Sequence, residues 1–301
     1  MFRAMTFSIV GRSADGSSLG VAVASKFLAV GAAVPAAEDG AGAIATQSYA
    51  NLAYRPDGLA MLRAGRSAPD TLAALTAADA LREQRQAGVV DRDGGSAGFT
   101  GEECNPWAGG CTGHDYAIQG NILTGPEVVT AMERAWLASD PSAPLGRRLL
   151  AALTAGDEAG GDRRGRQSAA LYVVQPGGGY GGGSDVYADL RVDDSANPVP
   201  ELVRLLGLHD LFFGRPDPDA LLPLEGRLLD EVNGLLVQVG HPPTGDDAGA
   251  VRTALWDWAG VENLEERIPD SPVIDPVVLD VLRLKASEGE PGPVKSPDAT
   301  S

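Results

Sequence analysis

The stretch Thr6-Phe7-Ser8-Ile9-Val10, a turn at Asp15-Gly16, and then Leu19-Gly20-Val21-Ala22-Val23-Ala24-Ser25 decide the fold class. Side chains repeat with period two on both sides of a Gly-containing loop, which predicts a β-hairpin. The same signature recurs. Residues 86–91 and 96–100 flank Asp93-Gly94, and residues 168–175 and 187–192 flank a glycine loop. Residues 41–47 and 115–119 read as further strands. Residues 49–64, 67–78, 126–138, 144–155 and 199–211 read as helices, the second opening on Ser67 ahead of Pro69 and Asp70. Hairpins interleaved with paired helices predict an α+β protein with antiparallel, helix-covered sheets. A doubly wound parallel sheet would need a long crossover between each pair of strands.

Gly214-Arg215-Pro216-Asp217-Pro218 ends this pattern. Amphipathic stretches at 219–239, 247–259 and 275–285 then predict a small three-helix domain. The expected organisation is a first domain over 5–213, a helical domain over 215–286, and a disordered tail over 287–301, whose Glu, Pro, Gly and Ser cannot offset their ordering entropy.

With 24 basic and 41 acidic residues the formal charge is −17, and 44% of the 301 residues are apolar. Such a chain forms a core but offers no general positive surface to phosphate backbones or anionic lipid, so nucleic-acid and membrane-surface partners are not expected. The apolar run over 19–37 carries Lys26 and Pro35 and reads as strand, turn, strand. Met1 to Val10 lacks the apolar core of an export signal, and two cysteines build no disulfide framework, so a cytoplasmic location is expected.

Three motifs invite a chemical reading and fail on context. Gly94-Gly95-Ser96-Ala97-Gly98 matches a nucleophile elbow but sits in a hairpin, not at a strand-to-helix turn. The glycines from Gly177 to Gly182 match a dinucleotide fingerprint, yet a strand follows where the phosphate-binding helix belongs. Cys104, Cys111 and His114 are spaced irregularly and read as loop residues. No metal and no cofactor is expected.

With three histidines in the chain, a general base is better sought elsewhere. An α-amino group, with an ordinary pKa of about 7.7 to 8.0, accepts protons near neutrality, and a threonine in first position places its hydroxyl beside that amine. Met5 precedes Thr6. Methionine is removed ahead of small residues such as Thr but retained ahead of Phe2, so a start at Met5 is expected to expose Thr6 and a start at Met1 to block it. Lys26 closes the strand expected to pair with that of Thr6, and a lysine there can tune a neighbouring hydroxyl. The bland alternatives are an edge-strand threonine and a solvent-facing lysine.

Several motifs occur together and in order: Met5 to Val10, Leu19 to Phe27, Ala45-Thr46-Gln47, Pro106-Trp107-Ala108-Gly109, Gln119-Gly120-Asn121, Gly161 to Ala170 and Asp189 to Asp194. In these the chain resembles the family called domain of unknown function 1028, over about residues 6–211. That resemblance implies membership of the N-terminal-nucleophile (Ntn) hydrolase superfamily, a four-layer αββα sandwich, Thr6 as nucleophile and Lys26 as its activator. It also implies a homo-oligomer. The segment from Leu255 to Arg267 is similar to a peptidoglycan-binding-like domain that accompanies some members, which implies a peptidoglycan fragment as a partner.

Gln47, Asn121 and Ser168 are candidate donors to an oxyanion, since such donors must be fixed where charge develops. Asp162, Arg163 and Arg166 either hold their own loop by ion pairing or bind a carboxylate substrate. The leading expectation is an amidohydrolase for a small-molecule or peptide-like amide. The competing one is a catalytically silent fold of the same shape that binds a ligand or partner.

Overall fold

The computed structural model describes residues 6–288, so the leader ahead of Met5 and all but the first two residues of the expected tail lie outside the described residues. The chain divides into two compact units after Leu206.

The first unit opens with the expected hairpin, β1 (Thr6–Arg12) and β2 (Leu19–Ser25), and continues through β3 (Pro35–Glu38), β4 (Gly42–Ser48), α1 (Tyr54–Arg63) and α2 (Ala68–Ala78). There follow β5 (Arg85–Asp91), β6 (Ser96–Thr100), β7 (Gly109–Gly113), β8 (Tyr116–Asn121), α3 (Glu127–Ala138), α4 (Leu145–Glu158), β9 (Ser168–Val174), β10 (Val186–Val192) and α5 (Pro198–Phe213). Strand order is β10-β9-β2-β1-β8-β7 in one sheet and β3-β4-β5-β6 in the other, with every pairing antiparallel.

Period-two alternation explains the packing. Phe7 and Ile9 of β1 project to one face, where they meet Met132 and Trp136 of α3 and Leu149 and Leu153 of α4. Val10 projects to the other, with Val21, Val23, Ala117 and Ala170 of its own sheet and Ala43, Ala45 and Val90 of the second. Ile44, Ala87 and Val89 turn outward under Tyr54 and Leu62 of α1 and Leu72 and Leu75 of α2. Each sheet therefore has helices on its outer face and the other sheet on its inner one.

Two local expectations are corrected here. The helix read over 49–64 begins at Tyr54, because Ser48 turns left-handed (φ 66°) and the chain bends before the helix starts. Strand β7 was not anticipated: Gly109-Gly110-Cys111-Thr112-Gly113 lacks the branched and aromatic side chains that mark strands, and its pairing with β8 supplies the order that propensity does not.

The second unit contains β11 (Leu222–Pro223), α6 (Gly226–Gln238), α7 (Ala248–Glu262), β12 (Val273–Ile274) and α8 (Pro276–Glu288). Three helices enclose Val232, Leu236, Leu255, Trp258, Val278 and Leu282. The helix expected over 219–239 starts seven residues late, at Gly226. Pro223 disfavours helical backbone at Leu222, and these two residues instead pair with β12. Asp247 caps α7 by accepting from the Gly249 and Ala250 N–H groups. Among the described residues no helix is long and apolar enough to cross a membrane.

The end of α2 is tied to the start of β5 by Asp79, whose carboxylate accepts from Arg85 Nε at 2.9 Å and Asn51 Nδ2 at 2.9 Å. The Arg85 bond, helped by Asn51 and the Leu81 N–H, holds the Asp79 carboxyl well below the usual carboxylate range. A carboxylate depressed in the folded state contributes stability that is complete above its unfolded value of about 3.9 and is lost as pH falls below it. Urea unfolding of Asp79→Asn is expected to show a weaker fold at neutral pH and a shallower loss of stability than wild type from about pH 4 downward.

Candidate active site

Along each central strand the side chains between the sheets change from apolar to polar toward the same end. In β1 the order is Val10, Ser8, Thr6; in β8 it is Ala117, Gln119, Asn121; in β2 it is Val21, Val23, Ser25. Ala170 gives way to Ser168 in β9, Ala45 to Gln47 in β4, and Val90 to Gly88 and Gln86 in β5. Register aligns these ends: Thr6 stands opposite Ser25 and Asn121, Ser25 opposite Ser168, and Gln47 opposite Gln86. None of the eight polar residues is more than 2% exposed. Burial of so many polar groups demands that they satisfy one another.

Most of their donors are engaged by one another, within and across the two sheets. Ser8 Oγ donates to Gln47 Oε1 and accepts from Gln119 Nε2, each at 2.6 Å. Gln47 Nε2 donates to Gln86 Oε1 at 2.8 Å and to the Thr6 carbonyl at 3.2 Å. Asn121 Nδ2 donates to Gln86 Oε1 at 3.0 Å and to the same Thr6 carbonyl at 3.4 Å. Gln86 Nε2 in turn donates to the Gly120 carbonyl at 2.7 Å. The acceptor oxygens Gln119 Oε1 and Asn121 Oδ1 are buried without a partner. Gly88 makes room for this network, since a Cβ there would lie 1.9 Å from Gln119 Oε1.

Thr6 is therefore held by its carbonyl from the second sheet, and its Oγ1 lies 3.2 Å from Ser25 Oγ. Three non-glycine residues with left-handed backbone border this end: Ser48 directly after Gln47, Ile122 (φ 49°) directly after Asn121, and Ala29 (φ 53°) shortly after Lys26. For a branched residue such as Ile this conformation is costly, on the order of 1–3 kcal/mol, and such strain gathers at functional sites.

The other sequence-predicted residues are placed as follows. Gln47 and Asn121 join Thr6, but their amide donors are engaged by the Thr6 carbonyl and by Gln86, so they fix the start of β1. Ser168 Oγ donates to the Phe27 carbonyl and accepts from the Val30 N–H at 3.1 Å, which shapes the loop after β2. Lys26 is exposed, and its Nζ donates to the Arg166 carbonyl at 3.1 Å. Asp162 is buried and accepts from the Lys26 N–H at 2.8 Å and from Arg164 Nη2 at 3.2 Å. Arg166 Nε is engaged by Asp157, at 2.7 and 3.0 Å from its two oxygens, whereas the side chain of Arg163 is exposed.

Sequence reading missed Ser8, Ser25, Gln86 and Gln119. Their signal was the phase of the alternation: each shares a strand face with apolar residues that meet the opposite sheet. Among the described residues no group of three His, Cys, Asp or Glu side chains is placed to hold a metal ion. An open cleft of about 680 Å³, lined by Ser13, Asp15, Ser18, Pro144, Gln175 and Tyr187, lies at the opposite end of β1 and includes none of the residues above.

Beyond the bonds above, Gln86 Nε2 also donates to Thr100 Oγ1 at 2.9 Å and to the Gly109 carbonyl at 3.2 Å. Gln86→Leu leaves the donors of Gln47 and Asn121 and the Gly120 carbonyl without their shared partner, and is expected to destabilise the fold by on the order of 3 kcal/mol. Urea denaturation midpoints at constant slope check this.

Residues 6–202 match the family described as "Family of unknown function (DUF1028)", and the match starts at Thr6. Residues 212–282 match one described as "Putative peptidoglycan binding domain". Among solved structures, the chain is similar to protein SPO2555 from Silicibacter pomeroyi, itself of family DUF1028, at 30% identity and a TM-score of 0.62, covering 75% of this chain and 93% of that one. No protein of curated function matches. With about two thirds of its length within the family match, and most of a 30% identical relative covered, the chain belongs to the DUF1028 family.

Proposed function

We propose that the chain is an Ntn-type amidohydrolase in which Thr6 becomes the first residue and acts as nucleophile. The observation that carries this reading is the placement of the Thr6 hydroxyl, 3.2 Å from Ser25 Oγ, at the polar end of an otherwise apolar inter-sheet layer. Two facing antiparallel sheets with helices outside agree with the αββα order of that superfamily, and the family match begins at the same threonine.

In the proposed reaction, Thr6 Oγ1 attacks the amide carbonyl while its proton passes to the Thr6 α-amine. Collapse of the tetrahedral intermediate breaks the C–N bond, and the amine returns the proton to the leaving nitrogen. Water then cleaves the Thr6 ester by the same route, releasing the carboxylic acid and restoring the hydroxyl. Gln47 and Asn121 hold the Thr6 carbonyl and so the angle at which its hydroxyl is presented. We assign them positioning roles, and Lys26, whose ammonium is engaged at Arg166, a role outside proton transfer. The second unit is proposed to hold peptidoglycan-derived material, on the strength of its family match.

Intact mass and N-terminal sequencing of the protein purified from its native host are expected to show a chain beginning at Thr6. Against a panel of small amides and muropeptides, Thr6→Ala should lower turnover by roughly 10⁴- to 10⁶-fold, the usual consequence of removing a nucleophile, with little change in melting temperature. A chain that retains residues ahead of Thr6, or a variant that keeps the wild-type rate, instead favours a fold that binds without catalysis.

A further inference from the structure

In a chain of formal charge −17, four basic side chains, Lys26, Arg163, Arg164 and Arg166, stand on two short segments at the Thr6 end of the sandwich. Backbone bonds tie these segments to the strands on either side of β1. Lys26 follows Ser25, the partner of Thr6 in β2, and the Gln167 N–H donates to the Ser25 carbonyl at 3.1 Å. Arg163 donates its N–H to the carbonyl of Ile122 at 3.3 Å, and Ile122 follows Asn121, the partner of Thr6 in β8. The 162–167 segment thus spans the ends of both neighbours of β1, at the end where Thr6 lies.

Two of the acids around it are already paired, Asp157 with Arg166 and Asp162 with Arg164, while Asp194 accepts from the neutral Gln167 Nε2 at 3.1 Å. Two cations are left over. The Arg163 guanidinium is exposed and has no ion pair among the described residues, and the Lys26 ammonium bonds only a neutral carbonyl, with donors to spare. Beside them Phe27 and Leu28 are 39% and 59% exposed, an apolar surface next to the charge.

We propose that Arg163 and Lys26 form a carboxylate-binding rim of the Thr6 site, so that its amide substrate is an anion carrying a free carboxylate near the scissile bond, as an N-acyl amino acid or the C-terminal end of a short peptide does. This rests on the reading of Thr6 as nucleophile. A guanidinium presents paired donors that match the two oxygens of a carboxylate, and an ammonium adds a second point charge. Phe27 and Leu28 take the apolar part of the same molecule.

The test uses full-length Thr6→Ala protein, which binds without turnover, and two probes, N-acetyl-leucine and its neutral primary amide, N-acetyl-leucinamide, titrated calorimetrically at low salt. The carboxylate is expected to bind about tenfold more tightly than the amide, the size of one charge-assisted hydrogen bond. Arg163→Gln and Lys26→Met, added singly, should each reduce that preference, and raising the salt should weaken it. Equal affinity for the two probes, no binding of the carboxylate at tens of millimolar, or a preference unchanged in both variants would overturn the proposal. If the carboxylate preference is present while wild-type protein hydrolyses neither probe nor any amide of the wider panel, the nucleophile reading fails and the rim stands as a binding site.

Discussion

The alternation of β1 between two layers is the constraint on which the rest of the structure depends. Phe7 and Ile9 must go under α3 and α4, so Thr6, Ser8 and Val10 must go between the sheets. A slip of one residue would bury Phe7 in a layer built for small side chains and expose Thr6 to the helical core. With the phase fixed by hydrophobic burial, Thr6 is delivered to the inter-sheet layer whether or not it performs chemistry. What makes the position more than packing is that five neighbouring strands turn polar at the same end.

A buried polar network of this kind is costly to assemble and adds less stability than an apolar layer of equal volume. Its value is orientation. Gln86 accepts from both Gln47 and Asn121, and both of these hold the Thr6 carbonyl, so the start of β1 is set from the second sheet as well as from its own. Ser25 then meets the hydroxyl, and the left-handed turns at Ser48 and Ile122 carry the chain away from the same point. The loop after β2 and the segment leading into β9 meet at this end, where Asp162 locks the backbone and Arg163 is exposed.

Much of this was legible in the sequence. Period-two runs and Gly-containing turns located the hairpins, and ordered motifs from Thr6 to Asp194 pointed to the family. Thr6, Gln47 and Asn121 were singled out and come together. Ser8, Gln86 and Gln119 were not, because their proximity is created by strand pairing and by one sheet packing on another, contacts between residues 39 to 111 positions apart that no local pattern records. Lys26 illustrates the same limit from the other side. Its place just past β2 was evident, but Ser25 is the residue in register with Thr6, and the Lys26 ammonium bonds the Arg166 carbonyl instead. In the second unit, the late start of α6 lay in Pro223, whose effect on its predecessor outweighs the amphipathic pattern around it.

The most direct test of the account is covalent capture at Thr6. Native protein treated with a β-lactone acylating probe and mapped by peptide mass spectrometry should carry one dominant adduct, an ester on the Thr6 hydroxyl, on chains that begin at that residue. Acylation spread over surface residues with Thr6 unmodified, in protein that does begin at Thr6, would contradict it.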